Sequence, residues 1–119
     1  MVRSHGTRAH FEVEPFRVFA EPELTAAPPW VPGVCFNPCC GARFTPAREW
    51  QIYCGAACEA LVKAELRRWG HRAALPLLVW RMGKYQTKGP VGDRTRAARR
   101  YITHLQSAWW AEWQARGQE

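Results

Sequence analysis

Two long stretches of the chain place apolar residues at helical intervals. From Ala56 to Trp69, the positions Leu61, Val62, Leu66 and Trp69 recur on one face, with Glu59 early and Arg67 and Arg68 late, as a helix dipole favours. Gly70 is the expected stop. Leu75 to Trp80 is a compact apolar run that reads as a short helix opened by Pro76 or as a buried strand, and the helix is preferred. Residues 83–92 read as a loop. Asp93 is expected to cap a second long helix reaching about Ala115, with Ala98, Ile102 beside Tyr101, Leu105, Trp109 and Trp113 as its stripe.

The N-terminal half follows a different rhythm. After a polar, basic tail, His10–Glu14 and Phe16–Phe19 are strand-like and interrupted by Pro15, which suits an edge strand. Glu21 to Gly33 contains Pro22, Pro28, Pro29 and Pro32 and reads as an extended linker, with Trp30 as an anchor onto a core. Phe44 and Pro46 suggest a strand ending in a turn. Glu49 to Tyr53 alternates, with Trp50 and Ile52 on one face and Gln51 and Tyr53 on the other.

Cysteines turn this pattern into chemistry. Cys35 and Cys40 form one pair, and Cys54 and Cys58 a second, separated by enough chain for a short hairpin. Four soft donors in two chelating pairs are what a tetrahedral Zn²⁺ requires. A disulfide framework is the alternative, suited to a secreted chain, but the N-terminus MVRSHGTRAH carries no apolar signal segment. Gly41 after Cys40 permits a turn that aims backbone N–H groups at sulfur. Cys58 would lie in the first turn of the helix beginning near Ala56, where the dipole favours a thiolate. Cys39 could replace Cys40 as a ligand, but Cys40 has the glycine in the expected place.

The expected fold class is therefore small α+β. It comprises a zinc-bound treble clef of knuckle, β-hairpin and helix, followed by a C-terminal helical extension. The division follows as 1–33 for tail, edge strand and linker, 34–70 for the finger, and 71–119 for the basic helical extension.

The string C-x-N-P-x-C-G-x-x-F-x-P, followed by Q-x-Y-C-x-x-x-C, resembles small treble-clef zinc fingers of bacterial and phage proteins, in particular the CGNR and MYND-like groups. The resemblance spans Cys35 to Cys58. It implies a module that binds nucleic acid or docks onto protein, not a catalyst.

Charge narrows the partner. The formal net charge is +7, and residues 71–119 contribute nine cations against three acids, so the basicity lies outside the finger. Four thiolates and one Zn²⁺ would lower the total by two. Lys84, Lys88, Arg94, Arg96, Arg99 and Arg100 fall within seventeen residues that contain one acid, Asp93. Arginine forks near a helix start suit phosphate oxygens; a solvated basic face is the bland alternative. The expected function is a zinc-finger nucleic-acid-binding protein of bacterial or phage type, acting as a DNA-binding regulatory or accessory factor, with DNA ahead of RNA. The alternative is a zinc-stabilised protein-interaction module that meets a host protein or complex through Trp110 and the N-terminal strand. Trp110 stands off the stripe shared by Trp109 and Trp113, which also leaves a homodimer open.

Catalysis is not expected. The four histidines are scattered, none lies between Cys35 and Cys58, and a four-thiolate site offers no open position for a reacting water. No apolar run approaches the ~20 residues of a membrane span. Reduced thiols point to the cytoplasm.

Overall fold

The computed structural model describes residues 12–117, and among them the chain is helical. Two short helices, α1 (Phe16–Phe19) and α2 (Glu21–Ala26), precede an irregular segment that carries the cysteines. Two long helices follow, α3 (Ala56–Met82) and α4 (Gly89–Gly117), packed against each other as a hairpin.

The expected α+β class is overturned, because the described residues contain no strand. Where a β-hairpin was expected, a single antiparallel bridge joins Val34 and Arg43. Cys35 N–H donates to the Ala42 carbonyl at 2.8 Å and Phe44 N–H to the Gly33 carbonyl at 2.9 Å, and there the ladder ends. Pro46 has no N–H to extend it. Gln51 then fixes the following loop in a non-extended shape. Its Oε1 accepts from Ala47 N–H at 2.6 Å, and its Nε2 donates to the Tyr53 carbonyl at 3.1 Å. Trp50 adopts a left-handed backbone, φ 63°, at a cost of roughly 1–2 kcal/mol for a residue with a Cβ.

The N-terminal edge strand is also absent. Phe16–Phe19 and much of the expected linker are helical, because Pro15 and Pro22 sit at helix starts, where their fixed φ is favourable and no N–H is missed. Glu21 and Glu23 lie in the first turn of α2, and Leu24 is its buried residue. Residues 12–14 form no strand, and the basic tail with His10 lies outside the described residues.

Gly70 does not stop α3, nor does Pro76 begin a new helix; both lie inside one helix of 27 residues. An interior glycine costs about 1 kcal/mol and an interior proline about 3 kcal/mol. Burial along α4 offsets both. The rings of Trp69 and Trp109 stack across the interface, 5.3 Å apart and 3° from parallel. Val62 is buried, and Ala73, Pro76 and Trp80 are half-buried. Leu61 and Leu66, expected on the inner face, are exposed.

Helix α4 begins at Gly89, four residues before Asp93, with Pro90 in its first turn. The carboxylate of Asp93 pairs with Arg96 and does not cap the helix. The expected stripe faces α3: Ala98 is buried, and Ile102, Leu105, Trp109 and Trp113 are half-buried. At the turn the helices approach too closely for larger residues. A Cβ on Gly83 would lie 1.9 Å from Thr95 Oγ1, and one on Gly92 would lie 2.6 Å from the Thr87 carbonyl carbon.

Candidate metal centre and basic helical tip

The knuckle and the start of α3 bring four sulfurs together. The Sγ atoms of Cys35, Cys40, Cys54 and Cys58 all lie within 4.8 Å of one another. Cys40 and Cys54 are 3.8 Å apart, and Cys54 and Cys58 are 3.7 Å apart. A tetrahedron with metal–sulfur bonds of about 2.3 Å has edges of about 3.8 Å. These separations match that figure and are far from the ~2.05 Å of a disulfide. In spacing and chemistry the donor set fits a borderline-soft, four-coordinate metal ion.

Backbone geometry produces this convergence. Asn37 is buried and organises the first pair. Its side-chain oxygen accepts from Cys39 N–H at 3.0 Å, and its carbonyl accepts from the N–H groups of Cys40 at 2.9 Å and Gly41 at 3.2 Å. Gly41 takes φ +65°, a conformation that a side chain would strain. Phe36 N–H donates to the Ile52 carbonyl at 2.7 Å, tying the knuckle to the loop that delivers Cys54. Extended Gly55 caps α3, so Cys58 falls in the first turn, as its spacing predicts.

Within the cluster, contacts among the thiols shift Cys35, Cys54 and Cys58. Burial raises the Cys35 thiol, but the backbone N–H groups of Cys54 and Asn37 and the neighbouring thiols outweigh it, and the net shift is downward. Cys54 is pushed up to about 12, chiefly by hydrogen bonds with Cys58, Cys35 and Cys40. For Cys58, the Asn37 side chain pulls the value down, but burial and the Cys35 and Cys40 thiols leave it raised. One thiolate thus opposes the next. A divalent cation at the centre inverts that logic and drives the protons off. Cys39 is exposed and lies outside the cluster, so Cys40 is the member of the doublet that joins it.

A polar network missed in the sequence joins the metal end to the helical hairpin. Glu65, 5% exposed, accepts Trp109 Nε1–H at 2.8 Å and both terminal nitrogens of Arg116 at 2.5 and 2.6 Å. Arg116 holds the Glu65 carboxyl below the usual carboxylate range, with Trp109 assisting against burial. Arg116 also lies over the Trp113 ring at 5.4 Å, and Trp113 packs 5.0 Å from Phe36, next to Cys35. The signal was present in the sequence: Val62, Glu65 and Trp69 share one helical face.

Lys84, Lys88, Arg94 and Arg96 lie at the opposite end, around the turn between α3 and α4, and Arg99 and Arg100 follow about 15 Å along α4 from its start. Twenty residues of α3 separate Lys63 from Gly83, about 30 Å along the axis. Lys88, Arg94, Arg99 and Arg100 are exposed. Arg96 is engaged within the turn, donating to the Thr87 carbonyl at 2.8 Å and pairing with Asp93. Lys84 lies over Trp80 and Tyr85, at 6.0 and 5.7 Å. Because α4 starts at Gly89, its unpaired N–H groups adjoin Lys88 and not the arginines, which lie beyond the first turn. Trp110 is 60% exposed on the outer side of α4.

No helix among the described residues is long and apolar enough to cross a membrane. Comparison with protein-family profiles, curated proteins and solved structures gave no match to this chain.

Proposed function

We propose that the chain is a zinc-stabilised nucleic-acid-binding module, without catalytic activity, that engages the phosphates of duplex DNA through the turn between its long helices. The observation that carries this reading is the charge at the turn and along the part of α4 that follows it, from Gly89 to Arg100. Lys88, Arg94, Arg99 and Arg100 are exposed there, while the one nearby acid, Asp93, is committed to Arg96. Uncompensated cations repel one another, and a polyanion relieves that repulsion while releasing its own counterions. Arg96 has a supporting role, holding the turn through Thr87. Zinc is the resident ion because four thiolates in a tetrahedral arrangement leave no open position, as in structural sites. The ion would fix the knuckle to the start of α3, and the Glu65 network carries that rigidity into the hairpin.

The test is binding to a duplex of arbitrary sequence over a salt series. Four phosphate contacts give a slope of about −3.6 in log affinity against log salt, roughly a hundredfold loss between 50 and 200 mM. A triple substitution of Arg94, Arg99 and Arg100 to alanine should flatten that slope. Absence of binding at ~50 mM salt refutes the proposal.

A second reading draws on apolar exposure. Leu75, Leu78 and Met82 stand outward on one side of α3, and Trp110 stands outward on α4. Such side chains suit docking onto a protein partner or a second copy. Residues 16–19 are helical, so no N-terminal strand contributes to that surface.

A further inference from the structure

At the metal end, between α2, the knuckle and the start of α3, lies a cleft of about 520 Å³ that neither the ion nor the basic turn accounts for. Its walls are aromatic. Trp30, Phe36, Trp50 and Tyr53 line it, with Arg17 and Arg48 beside them. The rings meet edge to face and not stacked: Trp30 and Trp50 are 5.5 Å apart at 71°, and Phe36 and Tyr53 are 6.3 Å apart at 63°. In an edge-to-face pair the contact covers one face of only one of the two rings.

The charges at the rim select among planar ligands. Lys63 and Glu59 also border the cleft and neutralise each other at 3.2 Å. Arg17 and Arg48 form no ion pair among the described residues. Two guanidinium groups without an ion-pair partner among the described residues, beside half-buried aromatic rings, disfavour a cationic guest. They favour a flat ring system with an anionic substituent.

Trp50 supplies an independent observation. It is the one non-glycine residue with positive φ among the described residues, and it is among the bulkiest side chains. Glycine would take that backbone without strain. The strain places the indole against Trp30 at the cleft wall, and strained residues of this kind cluster at ligand-binding positions.

We infer that this cleft binds a nucleobase with its adjoining phosphate, the base stacking among Trp30, Trp50 and Tyr53 and the phosphate meeting Arg48 and Arg17. Stacking is tolerant of base identity, so preference among bases is weak. The ligand can be a free nucleoside monophosphate or one nucleotide of a single strand. The site is independent of the phosphate-binding role proposed for the turn, which lies about 30 Å away along α3.

The test is calorimetric titration of the zinc-loaded full chain with a nucleoside 5′-monophosphate, the matching nucleoside, and a short single-stranded oligonucleotide. Trp50→Gly, which relieves the backbone strain while deleting the ring, should weaken both phosphorylated ligands at least tenfold. Arg48→Ala, an exposed change that leaves the fold intact, should do the same while leaving nucleoside binding unchanged. Binding of the monophosphate assigns a free nucleotide as ligand, and binding of the oligonucleotide alone assigns a strand. Either result supports the cleft if both variants lose it. The Arg94/Arg99/Arg100 triple variant should retain monophosphate binding, which separates failure of the turn from failure of the cleft. The inference is overturned if neither phosphorylated ligand binds, or if binding ignores Trp50 and Arg48. Binding of only a proline-rich peptide also overturns it.

Discussion

Removing the Glu65 carboxylate should destabilise the protein more than any single surface change, and the loss can be apportioned. The carboxylate accepts three hydrogen bonds, two from Arg116 and one from Trp109, while its side chain is only 6% exposed. Breaking a fully buried pair costs about 3–5 kcal/mol. The Arg116 side chain keeps 24% of its exposure, so water recovers part of that, and about 2–3 kcal/mol is expected for Arg116→Ala. Glu65→Ala additionally leaves Trp109 Nε1–H unpaired at the helix interface, adding about 1 kcal/mol. A double-mutant cycle should return about 2 kcal/mol of coupling between the two residues. Urea unfolding of the zinc-loaded protein at pH 7, followed by circular dichroism, measures all three variants.

The pH dependence gives a second readout. Arg116 depresses the Glu65 carboxyl, so its stabilisation is present above the unfolded carboxylate range, near 4.3, and is lost as pH falls through the lower folded value. Arg116→Ala should therefore lose most at neutral pH and converge on the parent protein in acid. A deficit below about 0.5 kcal/mol at pH 7, or one that does not shrink in acid, refutes the reasoning.

Gly92→Ala should destabilise by about 2 kcal/mol or more in the same unfolding assay, because its Cβ meets the Thr87 backbone and no rotamer can relieve it. Gly83→Ala is expected to be milder, since it meets a side-chain hydroxyl, although Thr95 would give up its 2.9 Å bond to the Val91 carbonyl. Arg96→Ala should loosen the turn, seen as faster amide exchange around Thr87, and leave the salt slope of DNA binding within one unit of the parent. Zinc uptake should release protons, measurable with an indicator dye, because Cys54 and Cys58 are held protonated without the ion. Zinc affinity should consequently fall as pH is lowered.

How much of this could be read from the chain differs by element. The cysteine spacing, with Gly41 deciding between Cys39 and Cys40, identified the four residues that converge, because short chelating loops leave few other arrangements. The stripe of α4 was equally legible from Ala98 to Trp113. The hairpin was not. Alternation over Glu49–Tyr53 resembled a strand, but the Gln51 side chain and the backbone of Trp50 decide that loop, and neither has a period. Gly70 and Pro76 were misread for a related reason: their local cost is real but smaller than the burial that α4 provides along the whole length of α3. Glu65 is not picked out by an apolar stripe because it is charged, although Val62 three before and Trp69 four after place it on the inner face. Helix starts were also displaced at α4, since Pro90 begins a helix as readily as Asp93 caps one.

The knuckle's geometry and the proposed function both depend on four sulfurs sharing one ion. X-ray absorption at the zinc edge of protein purified without added chelator measures this directly. Four sulfur scatterers at about 2.3 Å and one zinc per chain are predicted. Nitrogen or oxygen in that shell, or folded protein without metal and with Cys35, Cys40, Cys54 and Cys58 oxidised in pairs, would contradict it.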